Sequence, residues 1–282
     1  MALPAGFTFS QACLQDYSDC PRRFQLRYVL GVRWPAALDG AAANERAEWE
    51  KKALQGAAFH RLVHQHTIGI PEKTLAQSIT DPDLRGWWQA YLDTPPPNLP
   101  TEVRRSEVRL SVPLDGYRLV ARYDLLAIAP GQRAIIVDWK TSRLRTKRET
   151  LETRWQTRVY RYVLVQAGAE LNEVSALTPA QIELIYWFTN FPQQIERLPY
   201  DDSQYIDDQA ALQTAISEIS ARDQELWSLT DDLKRCRYCT YQTLCERGGQ
   251  MSEEEAPEQD WEPQEEPEDW EIDLEQVGEI AF

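Results

Sequence analysis

Asp138 and Lys140, near the middle of the chain, have the residue types and spacing of a hydrolytic site. They lie in the string RAIIVDWK, whose β-branched residues predict a strand. Residues two apart on a strand project from the same face, so the carboxylate and the ammonium group are expected side by side, with Trp139 pointing the opposite way. A second carboxylate, Asp124, lies within the preceding predicted strand, YRLVARYDLLAI.

The two strands are separated only by the short APGQ turn, and pairing them as a hairpin would bring Asp124 and Asp138 together at the sheet edge. Two converging carboxylates beside a lysine suit Mg2+ or Mn2+, which prefer oxygen ligands. Such an ion activates water and offsets charge on a phosphodiester, and Lys140 would orient the water or stabilise the transition state. An isolated Asp-x-Lys pattern also occurs at solvated strand ends, so the surrounding residues must decide.

Cysteines form the second chemical cluster. Cys236, Cys239 and Cys245 follow the pattern C-x2-C-x5-C, and Cys20 lies more than 200 residues earlier in the string DCPRRF. Four thiolates can bind either zinc or an iron–sulfur cluster, and a site shared by both ends of the chain would close a very long loop. Cys13 is expected to be a buried free thiol. Such a set differs from a secreted disulfide framework and indicates a reducing, cytoplasmic compartment.

The predicted secondary structure changes along the chain from helices to strands and then to alternating helices and strands. Helical patterns cover residues 9–31, 44–68, 83–92, 147–167 and 203–229, with Ser10 as an N-cap and Pro21 beginning a second helix in the first of these ranges. Three strands separated by LDG and APGQ follow the run TPPPNLP, and QIELIYWFTN predicts a further buried strand. This order predicts a mixed α/β (α+β) fold with a central sheet flanked by helices.

The net charge of −15 is unevenly distributed along the chain. Residues 251–282 hold 14 of the 45 acidic residues and no Lys or Arg, which leaves 31 acidic and 30 basic residues in 1–250. The body is therefore nearly neutral and does not exclude a nucleic-acid partner, whereas the last 32 residues are expected to be a disordered acidic tail. No segment predicts a signal peptide or a membrane span.

Several motifs together resemble the RecB-type nucleases of the PD-(D/E)XK superfamily over most of residues 7–250. The motifs are GAAFHRLV with His60, ARYDLLAI with Asp124, IIVDWKTS with Asp138 and Lys140, and QTRVY with Gln156 and Tyr160. The resemblance implies a restriction-endonuclease-like core. It also implies that His60, Asp124 and Asp138 bind the divalent metal, that Lys140 is the catalytic lysine, and that Gln156 and Tyr160 lie beside the site. Ala121 departs from the family, which often has glycine there.

The cysteines carry a resemblance of their own. The string CPRRF near the N-terminus and the later triplet are similar to the four-cysteine staple of AddB-type and CRISPR-associated RecB-like exonucleases. The resemblance implies that Cys20, Cys236, Cys239 and Cys245 hold a 4Fe-4S cluster joining the two ends of the domain. Zinc remains the alternative, because composition does not distinguish the two metals.

A basic stretch follows the DWK motif and predicts contacts with DNA phosphates. We expect Arg143, Arg145, Lys147, Arg154 and Arg158 to contribute to this path, and the alternative is a solvated helix face with local ion pairs. The expected activity is metal-dependent cleavage of DNA, from an end and on single strands, in repair, recombination or CRISPR adaptation. The chain has no P-loop motif, so unwinding would require a separate helicase partner. A non-catalytic DNA-binding scaffold and an RNA-processing nuclease are the alternatives.

Overall fold

The computed structural model describes residues 3–32, 41–173, 175–223, 225–236 and 239–247, and the expected acidic tail at 251–282 lies outside them. The helices are α1 (Gln11–Asp19), α2 (Pro21–Phe24), α3 (Ala41–Thr67), α4 (Glu72–Ser78), α5 (Pro82–Asp93), α6 (Arg148–Thr153), α7 (Trp155–Ala167) and α8 (Asp202–Ser220). The strands are β1 (Thr8–Ser10), β2 (Val103–Leu114), β3 (Tyr117–Ala129), β4 (Arg133–Lys140), β5 (Ile182–Phe188) and β6 (Glu196–Pro199). Among the described residues, no helix has both the length and the apolar character needed to cross a bilayer.

The six strands form one mixed sheet around the long strand β3. β3 pairs with β2 along one edge, and its other edge pairs with β1 at one end and with β4 at the other. β5 and β6 then continue the sheet beyond β4. The β1–β3 and β4–β5 pairs are parallel and the others antiparallel, so the predicted mixed α/β fold with a central sheet is confirmed.

Helices cover both faces of the sheet and create two hydrophobic cores. The larger core packs α1, α7 and α8 against one face, with Phe9, Phe24 and Val163 buried in it. The smaller core packs α3, α4 and α5 against the other face, around Phe59 and Trp187, whose rings stack 6.1 Å apart. Because β4 is sandwiched between these layers, seven of its eight residues are buried.

Local sequence signals explain most element boundaries. The Ser10 hydroxyl accepts a hydrogen bond from the Cys13 N–H at 3.4 Å and caps α1, and Pro21 opens α2, as the sequence predicts. The two hairpin turns lie at Asp115–Gly116 and Pro130–Gln132, where the LDG and APGQ strings place them. The short elements β1, β6 and α4 were not predicted.

The last predicted helix ends earlier than its pattern suggests. A helix was expected over 203–229, but α8 stops at Ser220. The next segment is held instead by the N-terminal region, where Trp227 stacks on Phe24 with ring centroids 5.5 Å apart. The Gln25 side chain also bonds the backbone of Glu225 and Trp227. These tertiary contacts outweigh the local helical preference and bring the two ends of the domain together.

Candidate metal-dependent active site

The site lies at a gap in the strand pairing of β3. On the edge opposite β2, β1 pairs with residues 118–120 and β4 with residues 125–129. In the register of the β3–β4 hairpin, Asp138 comes directly after the last paired residue of β4, opposite Asp124. The Asp124 carboxylate accepts a hydrogen bond from the Trp139 N–H at 2.8 Å and so replaces the missing backbone pairing. The predicted approach of Asp124 and Asp138 therefore follows from the hairpin register.

Asp138 and Lys140 project from the same face of β4, as strand alternation requires, while Trp139 packs in the smaller core. The Lys140 Nζ lies 2.8 Å from Asp138 Oδ2, and both side chains are buried. The ammonium group also donates to Gln156 Oε1 at 2.8 Å. A buried lysine that is held from two sides keeps its charge at a fixed position, which is what an electrostatic role requires.

Helix α7 supplies the side chains that hold this pair in place. Gln156 Nε2 donates to Asp138 Oδ1 at 2.9 Å and lies 3.2 Å from the hydroxyl of Tyr160, one helical turn later. The i, i+4 spacing therefore places both residues on the helix face towards the site. Arg154 caps the start of α7 in an extended conformation, so the predicted helix over 147–167 is two helices, α6 and α7.

Helix α3 approaches the same strands from the opposite face. His60 Nδ1 lies 3.0 Å from Asp124 Oδ1. Burial lowers the pKa of His60, but the carboxylates of Asp124, Asp138 and Glu107 outweigh this effect and raise it to about 9. Conversely, burial raises the pKa of Asp124, yet the His60 charge and the Trp139 N–H bring it below its ordinary value. Without a metal, these two residues form an imidazolium–carboxylate pair.

Gly56 allows α3 to come close to the segment after Lys140. A Cβ atom at this position would lie 2.9 Å from the Thr141 hydroxyl oxygen, so a larger residue would require the Thr141 side chain or the helix to shift. His64 and His66 occupy ordinary polar positions, bonded to Ser106 at 2.7 Å and to Tyr91 at 3.0 Å. His60 is therefore the histidine that α3 directs at the Asp124 carboxylate.

Glu107 is a site residue that sequence reasoning missed. It lies opposite Asp124 in the β2–β3 register, between the pairs Ser106↔Leu125 and Val108↔Tyr123. Its φ of 56° is in the left-handed region, a strained conformation that is enriched at functional sites. One ligand atom each from His60, Glu107 and Asp124 all lie within 4.8 Å of one another. Glu107 Oε2 also bonds Arg122 Nε at 2.8 Å.

A sequence signal for Glu107 existed in the hairpin turn. It lies eight residues before Asp115, and Asp124 lies eight residues after Gly116, so a two-residue loop places the two carboxylates opposite each other. The resulting set of carboxylates and one imidazole fits a divalent cation such as Mg2+ or Mn2+. The arrangement is chemically suited to hold such an ion beside a fixed lysine.

The four predicted cysteine ligands lie within the described residues, where His60, Glu107 and Asp124 form a group of possible metal ligands within 4.8 Å of one another but the cysteines do not. Cys20 is buried between α1 and α2, and Cys236, Cys239 and Cys245 are half-buried. Burial is the main cause that raises the pKa of the last three thiols, and the Cys20 charge raises each of them further. Arg235 bonds Asp19 at 2.9 Å, which joins the C-terminal segment to α1.

Cys13 differs from this group. It is fully buried beside Ser10, and burial raises its pKa to about 12, so it is an unreactive thiol. Its sulfur lies 3.1 Å from the Ser10 nitrogen and 3.2 Å from the Ser10 carbonyl oxygen. The expectation of a buried free thiol is thus met by the structure.

The basic stretch after Lys140 is partly engaged within the protein. Arg145 and Arg148 both contact the buried carboxylate of Glu196. Arg158 and the buried Arg161 bond Asp208 on α8, at 3.2 and 3.1 Å. Of the five residues predicted to bind DNA, Arg145 and Arg158 are therefore in ion pairs of the fold. Arg143 and Lys147 are exposed and Arg154 is half-buried.

Comparison with known proteins gives a family. The family model described as the PD-(D/E)XK nuclease superfamily matches residues 8–246. Two solved structures are similar at low identity. SSO0001 has 13% identity and a TM-score of 0.37, over 87% of this chain and 88% of its own. A protein described as a candidate exonuclease from Eubacterium rectale has 10% identity and a TM-score of 0.42, over 74% of this chain and 79% of its own. No curated protein matches the sequence.

Proposed function

The chain belongs to the PD-(D/E)XK nuclease superfamily, and from this we propose that it is a RecB-type, divalent-metal-dependent DNA nuclease. Members of this superfamily are hydrolases that use Mg2+ or Mn2+. The observation that carries the proposal is the hydrogen-bonded set of Asp138, Lys140 and Gln156 beside the carboxylate of Asp124. A solvated strand end would not hold a buried lysine between a carboxylate and an amide.

The proposed roles rest on the family resemblance and are consistent with the positions of the side chains. His60, Asp124 and Asp138 would hold the ion, and we add Glu107 to this set because of its place opposite Asp124. When bound, the ion supplies a Lewis acid that offsets negative charge on the phosphodiester. Lys140 would orient the attacking water or stabilise charge on the scissile phosphate. Gln156 fixes the lysine and Asp138 together, and Tyr160 supports Gln156.

Binding of a metal would change the pairing of His60. The histidine is protonated against Asp124 in the metal-free protein, and it must lose that proton to offer a nitrogen to an ion. The carboxylates that raise its pKa are the same groups that would bind the cation. Proton and metal are therefore expected to compete for one cluster of donors.

The substrate and the cellular process are a second part of the proposal. We infer an exonuclease on single-stranded DNA or DNA ends in the cytoplasm, serving repair, recombination or CRISPR adaptation. Residues 7–250 would form the nuclease domain and 251–282 an acidic tail. Because the sequence contains no P-loop, a separate helicase or adaptation protein would supply any unwinding. This assignment rests on the resemblance to AddB-type and CRISPR-associated RecB-like nucleases.

We also propose a 4Fe-4S cluster on Cys20, Cys236, Cys239 and Cys245. The proposal rests on the resemblance of CPRRF and the later triplet to the four-cysteine staple, and it is supported by the Arg235–Asp19 ion pair, which joins the segment of the triplet to α1 beside Cys20. Zinc would suit four thiolates as well. Metal analysis of anaerobically purified protein distinguishes the two: iron with inorganic sulfide and a brown colour supports the cluster, and colourless protein with one zinc rejects it.

The function is tested by incubating the full chain with labelled single-stranded DNA, double-stranded DNA and RNA in Mn2+ or Mg2+. We expect DNA cleavage that a chelator abolishes and that Lys140→Ala reduces by about a thousandfold, the scale for losing one preorganised charge. Lys73→Ala, at an exposed position of α4, is the control and should cleave like the parent.

The outcomes separate the candidate functions. Equal cleavage by the parent and Lys140→Ala would reject the assigned site. DNA binding without cleavage in any metal would favour a scaffold module, and preferential degradation of RNA would favour an RNA-processing enzyme.

A further inference from the structure

One face of the β2–β3 hairpin carries three arginines that lead to the site. Strand alternation places Arg109 of β2 and Arg118 and Arg122 of β3 on the same side, opposite the residues that pack into the larger core. Arg109 and Arg118 are exposed, and the Arg122 side chain is 42% exposed. We call these three residues the arginine face.

The register of the hairpin sets the order in which the three arginines lie along this face. Arg118 lies near the hairpin turn and donates to the Ser111 hydroxyl at 2.7 Å. Arg109 and Arg122 are direct cross-strand partners further along. The next residues on the same side are Glu107 and Asp124, which belong to the candidate metal site. The arginine face therefore ends at the carboxylates, and Arg122 touches one of them through its bond to Glu107.

The pairing of Arg109 with Arg122 is unusual for a sheet. Like charges directly opposite each other destabilise a strand pair. The Glu107 carboxylate bonds Arg122 and offsets part of this repulsion, and a polyanion lying across both guanidinium groups would add to that effect. Guanidinium groups also suit phosphates, because they present several N–H donors in a planar fork.

The length of the face suits a nucleic-acid strand. Arg118 and Arg122 are four residues apart on one strand, which corresponds to about 13 Å. A nucleic-acid strand presents several phosphates over such a distance. An ion or a small phosphate compound would not need a row of charges that ends at a metal site.

The basic stretch after Lys140 offers a weaker path. Its arginines at 145, 148, 158 and 161 are held by the carboxylates of Glu196 and Asp208. Arg161 and Asp208 are buried, so phosphate contact there would require breaking a buried ion pair. Arg109 and Arg118 of the arginine face are exposed to solvent.

We propose that the arginine face binds the phosphates of a single nucleic-acid strand and guides it along the β2–β3 hairpin to the metal site. This inference rests on the proposed nuclease function and adds the surface by which the substrate approaches. In this arrangement Arg109 and Arg118 are binding residues that do not take part in the chemical step.

The test measures binding of a fluorescein-labelled single-stranded oligothymidine to the full chain by anisotropy, in the Lys140→Ala background, over a range of salt concentrations. The test variant is Arg109→Gln/Arg118→Gln. Losing two phosphate contacts should lower the slope of log K against log salt by about 1.4 and weaken binding roughly tenfold near physiological salt. Arg109→Lys/Arg118→Lys keeps both charges and should retain most of the slope.

Two further variants serve as matched controls for charge. Arg85→Gln/Arg133→Gln removes two exposed arginines away from the site and should bind like the parent. Arg143→Gln/Lys147→Gln removes the two exposed charges after Lys140. Far-ultraviolet circular dichroism and thermal melting of each variant confirm that all are folded before their affinities are compared.

The outcomes are distinct. An unchanged slope in folded Arg109→Gln/Arg118→Gln overturns the inference. A loss of slope only in Arg143→Gln/Lys147→Gln also overturns it and places the path after Lys140. If the parent binds no nucleic acid at all, the proposed nuclease function fails together with this surface. If the chain with Lys140 intact cleaves DNA and the arginine variants bind like their Lys140→Ala parent, the function stands and only the inference fails.

Discussion

The candidate metal site and the four-cysteine region are assembled in different ways. At the metal site, β3, β4, α3 and α7 each direct a side chain inward, and hydrogen bonds fix Asp124, Asp138 and Lys140 relative to one another. In the cysteine region, Cys236 ends a short 3-10 turn, and Cys239 and Cys245 lie on the turns that follow it. Cys20 lies more than 200 residues earlier in the sequence.

The two regions should therefore depend on a bound metal to different extents. Regular elements hold the first site in shape by their own pairing, so losing a ligand should affect chemistry more than folding. The second region joins two distant ends through a few contacts, among them the Arg235–Asp19 ion pair and the Trp227–Phe24 stack. A metal bound by four thiolates would link these two distant segments through metal–sulfur bonds. Losing one ligand should therefore affect folding before it affects chemistry.

The largest expected effect is that of Cys20→Ser. Removing one of the four thiols should abolish metal binding and lower the free energy of unfolding by on the order of 5 kcal/mol, the scale of opening a very long closed loop. Metal content and urea unfolding of the anaerobically purified protein measure both quantities.

Cys13→Ser is the matched control for this change. It alters a buried cysteine seven residues away, beside Ser10, and should retain the metal and cost only about 1 kcal/mol. Equal metal content and stability in the two variants would show that Cys20 is not a ligand. The cysteine region would then be stabilised by its protein contacts alone.

Replacing Glu107 should have a smaller effect and a different character. Glu107→Gln keeps the size of the side chain but removes a negative charge from the cluster with His60 and Asp124. We expect about tenfold more Mn2+ to be needed for half-maximal cleavage, with unchanged melting temperature and with activity restored at high Mn2+. Titration of cleavage with Mn2+ measures the shift.

Glu102→Gln, exposed just before β2, is the control and should leave the metal requirement unchanged. A normal Mn2+ requirement in Glu107→Gln would mean that Glu107 serves only its ion pair with Arg122. A large loss of stability would instead show that the candidate metal site depends on its ligands for folding, as expected for the cysteine region.

The parts of the site that could be predicted are those set by local rules. Alternation along β4 places Asp138 and Lys140 on one face, and the APGQ turn sets the hairpin that brings Asp124 opposite Asp138. Glu107 was missed because a glutamate in RRSEVRLS resembles an ordinary exposed strand position. Only the register of the whole β2–β3 hairpin, counted from its turn, reveals its partner.

Long-range contacts account for what could not be predicted. The helix expected to reach residue 229 ends at Ser220 because the following chain packs on Phe24 and Gln25, some 200 residues away in sequence. Likewise, the ion pairs of Arg158 and Arg161 are made with Asp208 on another helix. Patterns within a short window show the charge of these arginines but not the carboxylate that binds them.

The smallest expected effect is on how the stability of the metal-free protein depends on pH. The pKa of His60 is raised from 6.5 to about 9 in the folded protein, so its pairing with Asp124 contributes stability that is fully present below pH 6.5. This contribution is lost as the pH rises through about 9, because the imidazole then loses its charge in the folded state as well. Urea unfolding without added divalent ions, at several pH values across this range, measures it.

His60→Gln should remove this part of the pH dependence and leave the rest of the curve unchanged. The same proton opposes metal binding, so the affinity of the parent for Mn2+ should rise as the pH increases towards 9, and this slope should be shallower in His60→Gln. If parent and variant show the same pH dependence of both stability and Mn2+ affinity, His60 is not linked to the carboxylate cluster. The metal site would then rest on β2, β3 and β4 alone, without a contribution from α3.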